Sequence, residues 1–163
     1  MPNGDHKKLI DQALAWAAEQ LRTGGHIPFM VFTIDEQARE GAFAADPACF
    51  AGGDSGREDL AQRMRKQFRK AGIVRYAIAA ECWVTRLAPP AGPLREPQIG
   101  RNGGREEVVI VHVCDRRSAT LHISTIARDE AGRVTGLRGF TTTDDKESLL
   151  AGRFTNLLEG RIH

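Results

Sequence analysis

Glu81, His112 and His122, with Cys114 nearby, are the side chains of this 163-residue chain best suited to chemistry. Two imidazoles and a carboxylate could ligate a divalent metal such as zinc. They could also trade protons near neutrality, where histidine titrates. Either chemistry would support metal-assisted or histidine-dependent hydrolysis. Trp83, two residues beyond Glu81, adds an aromatic surface able to stack on a ligand or fill a protein contact. Their spacing matches no metal motif, however. The P-loop, dinucleotide fingerprint, nucleophile elbow, CxxC pair and HExxH helix are all absent. A cross-strand histidine pair without metal is the favoured reading. No residue is assigned to catalysis or to a metal, and no cofactor is expected.

Strands must bring these residues together. Tyr76–Leu87, Glu107–Cys114 and Thr120–Arg128 alternate or run apolar in the manner of strands, and a further strand is expected at Arg133–Phe140 after Asp129-Glu-Ala-Gly132. If Val113 faces Leu121 and Val111 faces Ile123, the second and third runs form a hairpin over the loop 115–119. Val109, Val111, Val113, Leu121 and Ile123 then make one apolar face. The opposite face carries His112 and His122, and Glu81 and Trp83 join them if the preceding strand is a neighbour. A register one residue away would mix His122 into the apolar set. These four side chains are the expected ligand or interface face.

The remaining elements frame that sheet. Leu9, Ile10, Ala13, Leu14, Ala17 and Leu21 recur at helical spacing over 5–22, and Gly24-Gly25 suits a stop. Phe29–Ile34 reads as a strand, while 42–53 is small-residue rich and broken by Pro47, Gly52 and Gly53. A second helix is expected over 57–71, ended by Gly72, and a third over about 145–159. Gly53-Asp-Ser-Gly56 echoes a serine-protease nucleophile, but Ser55 with Glu58 better fits a helix-capping box. The long Pro/Gly-rich stretch 88–105 is a surface loop or a functional flap.

Arg57, Arg63, Arg65, Lys66, Arg69 and Lys70 make the helix over 57–71 basic, which could contact phosphates. A solvated basic face is the better reading, since basic residues suit a helix C-terminus and no nucleic-acid motif accompanies them. A net charge of +2 is too mild to imply nucleic-acid or membrane binding by itself. Three scattered cysteines give no disulfide framework, and neither a secretory signal nor a membrane span is expected, so a cytoplasmic setting follows.

Ala80-Glu-Cys-Trp83, Arg105-Glu-Glu-Val-Val-Ile-Val111 and Ile126-Ala-Arg-Asp129 resemble segments of small uncharacterised bacterial and phage proteins. Those have an Ala-Glu-Ala-Trp strand, a Pro-containing loop and an Arg-Glu-Glu-Val strand. The resemblance spans about a third of the chain; Cys82 departs from it. It implies the strand order and a microbial cytoplasmic setting, and carries no activity. The resulting expectation is one α+β domain: an antiparallel sheet of four to five strands with about three helices packed mainly on one face. It would act as a non-enzymatic binding or interaction domain through the sheet face and the 88–105 loop. A homodimer or another protein is the expected partner, because strand edges and faces invite association.

Overall fold

The computed structural model describes residues 4–46, 48–85, 105–144 and 157–158, without the side chains of 49, 50, 84, 85, 105 and 140–144. In chain order its elements are α1 (Gly4–Gly24), β1 (Met30–Asp35), β2 (Glu40–Ala44), α2 (Ala48–Ala51), α3 (Gly53–Ala71), β3 (Ile73–Thr85), β4 (Arg105–Asp115), β5 (Ala119–Arg128) and β6 (Val134–Asp144). The strands form one six-stranded antiparallel sheet in the order β2-β1-β3-β4-β5-β6. The expectation of α+β architecture holds, with six strands in place of four or five. The expected third helix lies outside the described residues except for Leu157 and Leu158. Residues 88–104 of the expected loop lie outside them as well.

The helices do not share a face. Leu9, Ile10, Ala13, Ala17 and Leu21 of α1 pack on Phe32, Ala77, Ala79, Val109, Val111 and Val113. Alanines on both sides let helix and sheet approach closely, so Ala13→Leu would overpack this layer at a cost of about 1–3 kcal/mol. Trp16 meets Phe32 edge-on, with ring centroids 5.7 Å apart. On the other face Leu60, Ala61, Met64 and Phe68 of α3 pack on Val31, Tyr76 and Ile78, with Leu157 and Leu158 in the same cluster. This two-sided burial explains why Tyr76, Ala77, Ile78 and Ala79 are buried consecutively. A strand covered on both faces has no polar side to alternate with.

The turns are built from aspartates. Asp35 Oδ1 accepts the N–H groups of Gln37 and Arg39, each at 2.9 Å, and Oδ2 accepts Arg39 Nε at 2.6 Å. Asp129 repeats the pattern with Ala131, Arg133 and the Arg133 side chain. The sequences, Asp35-Glu-Gln-Ala-Arg39 and Asp129-Glu-Ala-Gly-Arg133, are correspondingly alike. The fourth position takes positive φ in both, +61° at Ala38 and +81° at Gly132, which glycine adopts without strain. Donors from Arg39 hold the Asp35 carboxyl below its ordinary pKa, led by its backbone N–H.

Three local readings need amendment, the first for a stretch to which the sequence assigned no element. The region 42–53 contains most of strand β2, which pairs with β1. Its low strand propensity is offset by the Asp35 turn, and a Cβ at Gly41 would meet Thr33 Oγ1 at 2.8 Å, so a larger residue there needs the Thr33 side chain to move. Ser55 is not a cap: α3 begins at Gly53 after Gly52, which has no side-chain cap bond. Gly72 does end α3, in the left-handed conformation at φ +66°.

The third correction concerns register. Val113 pairs with Thr120, Val111 with His122, and His112 with Leu121. The hairpin is one residue tighter than expected because Asp115 closes it. Its N–H donates to Ser118 O at 3.0 Å, while Oδ1 accepts the N–H groups of Arg117 and Ser118 at 2.7 and 2.8 Å. A one-residue slip turns every side chain of a strand to the other face.

Candidate functional site

The register separates the two histidines. His122 shares the α1 face with Val111, whereas His112 lies opposite Ile78 and Leu121 on the α3 face. Both are buried. His122 Nε2 lies 2.9 Å from Ser124 Oγ, its neighbour along the same face. Burial pushes its pKa down, against a smaller upward pull from Asp11 of α1. His112 lies against Cys114, whose Sγ is 3.5 and 3.7 Å from its two ring nitrogens. Glu81 was expected on the His112 face, opposite Val109; it pairs with Val109 and lies on the α1 face instead, two strands and two residues from His122. That is about 12 Å between Cα atoms, from strand spacing and rise alone. Glu81, His112 and His122 therefore make no common site.

Glu81 and Trp83 remain together as expected, and the structure gives them different company. Glu107 is the register partner of Trp83. Arg128, near the end of β5, donates from Nε and Nη2 to the two oxygens of Glu107 at 2.7 and 2.6 Å. This fork holds the Glu107 carboxyl below its ordinary pKa and raises that of Arg128. Glu81 accepts from His26 Nδ1 at 2.8 Å and from the Ile27 N–H at 3.2 Å. Arg128 also donates to Gly25 O at 3.2 Å. The cluster thus fastens the chain leaving α1 to β3, β4 and β5.

Chemically, the cluster is a satisfied polar network at the rim of the sheet. His26 is exposed, and its nitrogen, with one oxygen each from Glu81 and Glu107, lies within a mutual span of 4.8 Å. A divalent cation could bridge three such groups, but it would have to displace the proton on His26 Nδ1 and compete with the Arg128 fork. Trp83 stands beside them 55 % exposed, the only large hydrophobic so exposed among the described residues. On the same strand, burial raises the Cys82 pKa and keeps its thiol protonated.

Arg128 was accessible to sequence reasoning, since it alternates with His122, Ser124 and Ile126, which the expected register set on the Glu81 face. Glu107 and His26 were not: alternation grouped Glu107 with Val109 and Val111 on the face expected opposite Glu81, and His26 depends on how α1 ends. Glu81 and Trp83 of β3, Glu107 of β4 and Arg128 of β5 meet at this rim. Among the described residues no helix is long and apolar enough to cross a membrane. No family model, curated protein or solved structure matches the chain.

Proposed function

We propose that the chain is a non-enzymatic interaction domain that meets its partner at the Trp83 rim. The carrying observation is an indole 55 % exposed on a strand paired to β4, ringed by charges of both signs that are already paired. Such an anchor with a polar border is the composition of an interface core and its rim. The paired charges supply hydrogen-bonding edges without leaving a reactive group poised for chemistry. A second copy of the chain is the simplest protein partner, because a border containing both signs can be self-complementary across a twofold axis.

The test uses Trp16→Phe, which leaves Trp83 as the sole tryptophan. Its emission and the sedimentation coefficient are followed from micromolar to near-millimolar protein. Self-association at the rim gives a blue shift parallel to dimer formation, and Trp83→Ser abolishes the dimer. A monomer at every concentration with water-like emission sinks this reading.

A second reading rests on the three ligand atoms within 4.8 Å: binding of a zinc-like cation by His26, Glu81 and Glu107. Calorimetry with zinc alone decides it. Arg128→Gln should tighten binding by freeing Glu107, and His26→Ala should remove it. Indifference to both substitutions refutes the cation.

A further inference from the structure

The two margins of the sheet are built differently. Strand β6 closes one margin with a ladder that loses register twice, between Ser124 and Thr125 and between Ala127 and Arg128. Gly139, at the first irregularity, takes φ +51°. Bulges of this kind bend an edge strand and blunt it against a further strand. Strand β2 has neither break: it keeps one register with β1 from Met30–Ala44 to Ile34–Glu40. Its only charge, Glu40, pairs with Lys8 of α1 at 3.5 Å. The direction of the β2 backbone follows from bonds at its two ends. The Ala45 N–H donates to Phe29 O at 2.9 Å, and Arg39 O accepts from the Asp35 N–H at 3.1 Å. Bonding residues alternate in an antiparallel pair, so Arg39, Gly41, Phe43 and Ala45 address β1. Glu40, Ala42 and Ala44 turn their N–H and C=O groups outward, and all three are exposed. Among the described residues no strand pairs with this margin.

We propose that this margin pairs with the same margin of a second copy of the chain, antiparallel about a twofold axis at Ala42. Ala42 then faces its own counterpart and Glu40 faces the other copy's Ala44, each pair exchanging two backbone hydrogen bonds. Phe43 opposes Val31 and packs against the α3-face cluster, so Gly41 and Phe43 share that face. Across the axis each Phe43 lies opposite a Gly41, where an aromatic ring covers the bare glycine. Two features select a second copy over a foreign strand. The ring and the glycine that seats it stand symmetrically about Ala42, so one strand carries both halves of the fit. Charge agrees as well, because the sole carboxylate of β2 meets an alanine. Moving the axis to Gly41 or Phe43 leaves one outward residue unpaired within β2, and the Phe43 axis also opposes Glu40 to Asp46. The paired length is about 17 Å, at roughly 3.4 Å per residue. That is far smaller than a standard interface of about 800 Å² per partner, so the contact is a millimolar one. Sedimentation at lower concentration does not register it, whereas covalent trapping does.

Thiol trapping tests this register. In the full chain carrying Trp83→Ser, so that the rim contributes nothing, single cysteines are introduced and oxidised, and the linked peptides are identified by mass. Ala42→Cys should form a disulfide dimer about tenfold faster than Glu130→Cys, an exposed turn position that meets a second copy only by collision. The Cα separation of a hydrogen-bonded pair, about 5.5 Å, accommodates the bond. Glu40→Cys and Ala44→Cys should each link slowly alone and fast when mixed. Ala42→Pro removes one outward N–H while leaving every bond to β1 in place, so adding it to both should return the mixed rate to that of collision. If Ala42→Cys links no faster than Glu130→Cys, the margin serves a foreign strand or none, and the proposal is overturned. It is overturned too if the mixed pair links no faster than either variant alone, or if Ala42→Pro leaves the mixed rate unchanged. None of these outcomes depends on whether Trp83 meets a partner.

Discussion

The two ends of α1 are fastened to the sheet by the same kinds of side chain, yet one end is sealed and the other open. At the start of the helix, His6 is fully buried, with Nε2 2.8 Å from Asp115 Oδ2 and Nδ1 2.8 Å from Thr120 Oγ1. Arg75 of β3 donates to Asp5 alongside at 3.1 Å. Partial burial pushes the Asp115 carboxyl up, but the N–H groups of Arg117 and Ser118, with His6, outweigh it and hold the pKa below the ordinary value. An Asp–His–Thr chain of this kind resembles the hydrogen-bonded core of a nucleophilic triad. No substrate can reach it, because Thr120 is 1 % exposed. At the far end, histidine and carboxylates again tie the helix down, but there His26 is 76 % exposed beside Trp83. Residue type alone does not separate a staple from a site; access does.

The contrast can be broken most sharply at the sealed end. His6→Ala strands Asp115 and Thr120 without their partner, and we expect a loss of about 3 kcal/mol in urea unfolding. At the open end Arg128→Ala should cost less, about 1–2 kcal/mol, because water partly replaces the lost fork around Glu107. NMR titration of the same variant should show the Glu107 pKa rising toward its ordinary value. If the two variants lose equal stability, the ends are energetically alike and the contrast fails.

Between the ends, His122 lies buried under α1 and supplies a gentler test. Its folded pKa is depressed below the unfolded value near 6.5, so the unfolded chain binds the extra proton first. Its contribution is full above about pH 6.5 and is lost as pH falls toward the folded pKa. His122→Leu should flatten the decline in urea midpoint between neutral and mildly acid pH. An unchanged slope would place the titration elsewhere. The smallest effect belongs to Trp83→Ser, within about 0.5 kcal/mol for the monomer. A larger loss would mean that the indole supports the fold rather than a partner.

What the sequence disclosed follows from the range of the forces involved. Helix α1, strand β1 and the strands on either side of Asp115 were legible because local periodicity set them. The pairing of Glu81 with Trp83 on one face survived, since alternation within a strand needs no tertiary information. The proposed grouping of His112 with His122 failed on a single residue of register. Keeping polar groups out of the apolar set was the wrong criterion: His122 tolerates burial beside Ser124, and Asp115 turn chemistry fixed the pairing. The sealed His6–Asp115–Thr120 chain was also missed, because it joins residues more than a hundred positions apart.

The twin turns at Asp35 and Asp129 carry a consequence for how the molecule assembles. Each holds a hairpin at one margin of the sheet through bonds made within five residues, so β1–β2 and β5–β6 can close with little entropy of loop formation. The β1–β3 seam is different, since it must close over the whole segment bearing α2 and α3. Folding should therefore begin at the two margins and finish at that seam. Asp129→Ala should chiefly slow refolding, whereas thinning the seam with Val31→Ala should chiefly hasten unfolding.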